Sequence, residues 1–157
     1  MTSTTTSPPD PESAKRRLWL AVLARASRAE LEAAHSRLSD LPAVNPLRPA
    51  EVGMVMLRGR IGGTGDTFNL GEASLTRCAL RPAGGALGVG YTLGRDRRKA
   101  ELVALFDALL QDPQRCTQLQ QEVVEVLMQR QAAQRDTSSR AAASSKVEFF
   151  TLVRGES

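Results

Sequence analysis

The segment from Leu87 to Gly94 constrains the fold more than any other part of this sequence. Large apolar residues alternate there with small ones. The large residues are Leu87, Val89, Tyr91 and Leu93, and the small ones are Gly88, Gly90, Thr92 and Gly94. Such alternation predicts a β-strand, because successive side chains of a strand point to opposite faces. A nearly bare glycine face allows another backbone, a helix or a ligand to approach closely.

Periodicity predicts the other elements. Apolar side chains spaced by three and four residues indicate helices, and alternating ones indicate strands. Helices are predicted over 12–26, 28–38, 97–111 and 113–134, and strands over 52–60, 68–81, 87–93 and 147–154. This order predicts an α+β fold with an N-terminal helix pair, a mostly antiparallel sheet, two further helices and a C-terminal strand.

Capping residues indicate where several helices begin. Ser27 and Glu30 have the spacing of a capping box. In this motif the Ser hydroxyl accepts a hydrogen bond from the Glu backbone N–H, and the Glu carboxylate accepts one from the Ser backbone N–H. Asp96 is placed to cap the third helix. Asp112 is placed to cap the fourth, with Pro113 at its first position.

Three segments are predicted to lie outside helices and strands. Residues 1–11 are mostly Thr, Ser and Pro and are expected to be a disordered tail, which leaves 12–157 as a single α+β domain. The prolines between 42 and 49 predict an extended connector. The Ser- and Ala-rich stretch at 136–146 is expected to be mobile.

The N-terminal helix pair has two interpretations. One is a DNA-binding helix-turn-helix. The other is two packed helices joined by a short turn. The second helix offers few side chains that read bases, which favours the packed pair. Trp19 in the first helix is predicted to be a core residue or a subunit contact.

The residue composition excludes several kinds of catalytic centre. The chain has one histidine, His35, and two cysteines, Cys78 and Cys116, which are predicted to be small core residues. A zinc site needs three or four suitably spaced ligands, and a cubane cluster needs three or four thiolates. No metal site and no catalytic residue is therefore predicted, and the chain is a poor candidate for a self-sufficient enzyme.

The sequence gives no sign of a membrane or export segment. No apolar run approaches the ~20 residues that span a bilayer. The first residues lack the basic start and apolar stretch of a secretory signal. We therefore expect a cytoplasmic protein that does not bind a membrane.

Positive charge is concentrated in the middle of the chain. The net charge is +4. Between Arg58 and Lys99 there are eight basic residues and three acidic ones, so this stretch holds the whole excess. A basic region of this kind indicates an anionic partner, such as phosphate groups, nucleic acid or an acidic protein surface.

Ten residues of this region are candidates for an anion-facing or partner-facing site. They are Arg58, Arg60, Gly62, Gly63, Gly65, Arg77, Arg95, Arg97, Arg98 and Lys99. Glycines free backbone amides to approach an anion, and cations at a helix start are locally unfavourable unless something offsets them. The glycine loop lacks the Lys and Ser or Thr of a phosphate-binding loop, so a plain hairpin turn is the alternative. For the charged run, a solvated face is the alternative.

Several segments together resemble the G subunit of the bacterial carbon–phosphorus lyase system. The segments that carry the resemblance are 55–65, 68–72, 76–78, 90–102 and 146–155, within a similarity that covers about residues 15–155. The most specific are Val55-Met-Leu-Arg-Gly-Arg-Ile-Gly-Gly-Thr-Gly65 and Gly90-Tyr-Thr-Leu-Gly-Arg-Asp-Arg-Arg-Lys-Ala-Glu-Leu102.

The resemblance implies an accessory, non-catalytic subunit of a phosphonate-degrading complex. Its partners would be the H, I and J core subunits and the associated L and K subunits. In the family, ATP and a phosphonate give a ribose 1-phosphonate 5-triphosphate and adenine. S-adenosylmethionine and an iron–sulfur cluster serve a later step on the J subunit. No cofactor is expected on this chain alone.

Two other functions are compatible with the residues. A basic nucleic-acid-binding protein would use the same middle region, although few aromatic residues are present for base stacking. An autonomous ribosyltransferase is disfavoured because acid–base residues are missing. The glycine face near Gly90 and the apolar strand near Val55 also predict that a partner protein buries these surfaces, so that the chain is an obligate member of a complex.

Overall fold

The computed structural model describes residues 10–144 and has an α+β architecture, as predicted. The helices are α1 Pro11–Arg25, α2 Arg28–His35, α3 Arg97–Leu110, α4 Pro113–Leu119 and α5 Val126–Ser144, with a π-helical segment Gln120–Glu125 between the last two. The strands are β1 Val44–Arg60, β2 Thr67–Pro82 and β3 Gly88–Leu93, and a short 3-10 helix, Ile61–Gly63, connects the first two. The predicted strand at 147–154 and most of the predicted tail lie outside the described residues.

The ends of the helices follow the local capping signals. Pro11, assigned to the tail by the prediction, is instead the first residue of α1, a position that suits a residue with no N–H. The capping box is present: the Ser27 hydroxyl accepts from Glu30 N, and Ser27 N donates to the Glu30 carboxylate. Asp96 caps α3, and Asp112 caps α4.

The three strands form an antiparallel sheet in the order β1-β2-β3. β1 begins at Val44, so the predicted proline connector is wrong for residues 44–49. Pro46 and Pro49 are accommodated because β1 is an edge strand, and its register shifts twice between Pro46 and Glu51. A proline that cannot donate to a ladder is tolerated at an edge or a bulge.

Helix α3 covers the glycine face of β3. A methyl group on Gly90 would overlap the carbonyl oxygen of Ala100, and one on Gly88 would overlap that of Ala104. The glycines therefore allow a helix backbone to lie directly against the strand. The expectation that this face needs a partner's cover is wrong, because the chain covers it itself.

The core lies between the covered side of the sheet and the helices. α3 is buried from Leu102 to Leu110, and Trp19, Leu23 and Leu31 of the first two helices pack into the same cluster. This burial confirms Trp19 as a core residue and favours the packed-pair interpretation of α1 and α2.

The end of α5 departs from the prediction. The stretch from 136 to 144 is helical and its residues 136–142 are exposed, whereas the sequence suggested a fading helix and a mobile segment. Arg140 and the three alanines that follow it have high helix propensity and extend the helix.

Candidate interaction surface

β1 and β2 continue as a two-stranded arm beyond the end of β3. β2 pairs with β3 only from Leu75 to Leu80, while its pairing with β1 continues to Thr67. We call residues 54–60 and 67–74, with the turn between them, the arm. An isolated two-stranded hairpin is marginally stable in water, so a long exposed arm is a costly feature for a chain to keep.

The arm has an inner face, on the side of the sheet where α3 packs. Thr76, buried beneath α3, pairs with Val52, and Met54 and Met56 follow on the same side of β1. α3 does not bury the two methionines, whose exposed fractions are 60 % and 46 %. The inner face of the arm therefore presents an exposed apolar row.

The outer face of the sheet is the opposite side, and no described helix covers it. Its apolar residues run from the arm across β2 to β3 and include Val55, Leu57, Phe68, Leu75, Tyr91 and Leu93. Leu93 and Tyr91 are more than half exposed. Leu70 forms a bulge between the pairs made by Gly71 and Asn69. From the bulge to the tip, odd- and even-numbered residues of β2 exchange faces, so Phe68 lies on the outer face.

Two of the predicted arginines lie at the tip of the arm, on the inner face. The Arg58 guanidinium donates to Thr67 Oγ1 at 2.9 Å, and that of Arg60 donates to the Gly65 carbonyl at 3.2 Å. Neither arginine forms an ion pair within the described part of the chain. Their charge is therefore available to a partner.

The helix-start cations lie at the other end of the arm. Arg95 Nε is 3.4 Å from Ser74 Oγ, and Ser74 pairs with Met54 at the base. Arg60 follows Met54 by six positions along β1, which corresponds to about 20 Å. The structure thus does not bring the two predicted segments into contact, but it places both on the inner face.

Other predicted cations are engaged within the chain. Arg77 Nε donates to Glu51 Oε1 at 2.7 Å on the outer face. Arg98 lies 3.8 Å from a Glu32 oxygen and 3.6 Å from a Glu101 oxygen. These pairs reduce the charge that the region presents to an external anion.

The remaining cations of the helix start are Arg97 and Lys99. Arg97 is exposed and has no ion pair among residues 10–144. Burial lowers the pKa of Lys99, against the raising effect of Asp96 and Glu30. The Asp96 carboxylate also accepts from Lys99 N at 2.9 Å, so the chain supplies its own anion at this helix end.

Comparison with known proteins decides the family. Residues 14–155 match the family model described as "Phosphonate metabolism protein PhnG". The chain is also 44 % identical over 147 residues to the alpha-D-ribose 1-methylphosphonate 5-triphosphate synthase subunit PhnG of Rhizobium meliloti (strain 1021), with 91 % of each chain covered. The chain belongs to the PhnG family. The resemblance identified in the sequence is confirmed.

In this PhnG family member, the tip of the arm is a tight hairpin turn. Gly62 has φ +59°, a conformation that favours glycine. Gly65 N donates to the Ile61 carbonyl at 2.9 Å, so one of the amides proposed to meet an anion is used within the turn. Gly63 ends the short 3-10 helix. An anion-facing role for these glycines stays a prediction.

A cleft of about 500 Å³ opens on the inner side of the sheet in this chain, between the first half of β1 and helices α2 and α3. Apolar side chains from Leu80, Leu102 and Leu105 line it, together with His35 and the paired Arg98. No sequence pattern indicated this cleft, because its walls come from segments far apart in the chain.

The described residues offer little conventional reactive chemistry. Among residues 10–144, no three His, Cys, Asp or Glu side chains are grouped so as to hold a metal ion. Burial raises the pKa of the Cys78 thiol, which disfavours the reactive thiolate. Over the same residues, no helix combines the length and apolar character required to cross a membrane.

Proposed function

We propose that this chain is a subunit of an alpha-D-ribose 1-methylphosphonate 5-triphosphate synthase. The observation that carries the proposal is the 44 % identity to a PhnG subunit of that enzyme, extending over 91 % of both chains. Similarity across nearly whole chains supports a shared place in the complex, because it includes the arm as well as the core.

The product's name defines the chemistry of the complex. A ribose with triphosphate at carbon 5 and methylphosphonate at carbon 1 forms from ATP when a phosphonate oxygen bonds to the ribose C1′. The bond from C1′ to adenine breaks, and adenine leaves. We place this step on other subunits, and the role of this chain is accessory. ATP and the cofactors of later steps likewise belong to other subunits in this proposal.

The proposed partners are the H, I and J subunits, with L and K as associated subunits, in the cytoplasm. Support for a partner-binding role comes from the arm, whose two faces both present exposed apolar side chains. Large exposed apolar surfaces are typical of protein interaction sites. The nucleic-acid alternative has less support, because Arg77 pairs with Glu51 and Arg98 with Glu32, which leaves fewer free cations for phosphate groups.

Reconstitution tests the proposal. The I subunit of the same organism would be tagged and purified with the remaining subunits, with and without this chain, and adenine release measured from ATP and methylphosphonate. We expect the chain to co-purify, and its omission to lower adenine release by about tenfold or more, with recovery when it is added back. Failure to co-purify, or full adenine release without the chain, would overturn the proposal.

A further inference from the structure

The inner face of the arm carries an ordered pattern of charge and apolar surface. Met54 and Met56 form its exposed centre. Arg58 and Arg60 bound it at the tip, and Arg95 bounds it at the base. The two cationic ends are about 20 Å apart along the strand.

The three arginines have no carboxylate partner within residues 10–144. Between the two ends, Glu72 is the one carboxylate that β1 and β2 place on this face, opposite Met56. Asp66 adds a second acid in the turn at the tip. Three unpaired cations against two acids still leave a positive excess. Charge complementarity therefore favours an acidic occupant.

The apolar centre restricts the occupant further. A small anion such as a triphosphate would use the arginines but leave the methionines exposed. Methionine side chains are flexible and adapt to apolar surfaces, which makes them frequent at protein-binding sites. A partner that satisfies both features presents apolar side chains with carboxylates on either side.

We propose that the inner face of the arm is the docking surface for an amphipathic acidic segment of another synthase subunit. The inference rests on the proposed function. Carboxylates at the two ends of the segment pair with Arg58 and Arg60 at the tip and with Arg95 at the base, while its apolar side chains cover Met54 and Met56. A span of about 20 Å corresponds to about 13 helical residues or six extended ones.

Charge-reversal and polar variants test the surface in the full complex. The variants are R58E/R60E/R95E for the cations and M54Q/M56Q for the apolar centre, with R135E/R140E on the exposed end of α5 as a matched control. Affinity for the other subunits would be measured at several salt concentrations. We expect both inner-face variants to weaken binding by about tenfold or more, and the charge variant to lose most of its salt dependence.

Three outcomes would overturn the inference while leaving the proposed function standing. The first is wild-type affinity in both inner-face variants. The second is an equal loss in the R135E/R140E control. The third is loss of inorganic tripolyphosphate binding in R58E/R60E/R95E with the complex intact, which would assign the arginines to a small anion. If the wild-type chain itself does not bind the other subunits, the proposed function fails instead.

Unfolding curves separate a docking defect from misfolding. The substituted side chains, on the arm, at Arg95 and on α5, are all exposed, so the urea midpoints of these variants should stay close to that of the wild type. An outer-face variant, L93Q, locates the contact. A loss of affinity in L93Q with none in M54Q/M56Q would move the docking surface to the outer face and overturn the proposal.

Discussion

Trp19 and Asp107 are joined by a buried hydrogen bond that ties helix α1 to helix α3. The indole Nε1 donates to Asp107 Oδ1 at 2.9 Å. The same carboxylate accepts two bonds from Arg16 and one from the backbone N of Val89 in β3. A carboxylate with no exposed surface thus connects α1, α3 and the edge of the sheet. This bond also satisfies the backbone N–H of Val89 on the edge strand β3.

Substitution of Asp107 by Ala is expected to destabilise the fold strongly. It leaves three donor groups without their acceptor, including the part-buried guanidinium of Arg16. Breaking such a buried pair costs about 3 kcal/mol. The measurement is the free energy of unfolding in urea, with Arg135→Ala on the exposed end of α5 as control. A loss below about 1 kcal/mol in D107A would contradict this account.

Gly90→Ala should destabilise the chain by about 3 kcal/mol or more, because the new methyl group overlaps the Ala100 carbonyl and forces α3 away from the sheet. Gly53→Ala is the matched control: its methyl group meets nothing within 4 Å, and its φ is not positive. The control should be neutral or slightly stabilising. Soluble yield and urea midpoints would be compared. Equal stability in the two variants would show that the packing of α3 against the sheet does not depend on the glycine face.

The capping box should make part of the stability pH-dependent. Hydrogen bonds from the Ser27 backbone and hydroxyl, with a smaller effect of Arg130, hold the pKa of Glu30 below its ordinary value of 4.5 against the raising effect of burial. This contribution is fully present above pH 4.5 and is lost as the pH falls through the lower folded value.

Glu30→Gln keeps a side chain that can bond Ser27 N but removes the titration. The drop in unfolding free energy between about pH 6 and about pH 3.5 should therefore be smaller in E30Q than in the wild type. Ser27→Ala should cost about 1 kcal/mol at neutral pH. Identical pH profiles for E30Q and the wild type would argue against a titrating cap.

His35→Ala should leave adenine release by the reconstituted complex within a few-fold of wild type. His35 is the one histidine of the chain, and it lines the cleft beside an ion-paired arginine rather than a reactive cluster. Loss of a catalytic acid or base lowers the rate by about a hundredfold or more. A hundredfold fall with normal complex assembly would require a catalytic role for this chain.

Local signals were sufficient for much of the fold. The alternation around Val89 predicted β3 within a residue of its observed start, and the caps at Ser27, Asp96 and Asp112 predicted three helix starts. These features depend on near neighbours in the chain, such as a side-chain oxygen that meets an amide two or three residues later. The sequence missed the extent of α5 because the Ser- and Ala-rich composition of 136–146 suggested a mobile segment.

The candidate surface was only partly predictable. The sequence identified Arg58, Arg60 and Arg95 as partner-facing candidates, but it could not show that Met54 and Met56 lie between them. That arrangement depends on how β1 pairs with β2 and on where α3 begins. The sequence also could not show which cations are neutralised, since Glu51 and Glu32 come from distant segments.

The sequence by itself determined the family, the order of elements and the residues that cap them, because these depend on residue identity and short spacings. Only the tertiary structure decided that α3 covers Gly90, that Asp107 is a buried junction and that the arm carries exposed apolar side chains on both faces. The physical reason is that burial and ion pairing depend on which faces meet. Those contacts join segments tens of residues apart, and no local period encodes them.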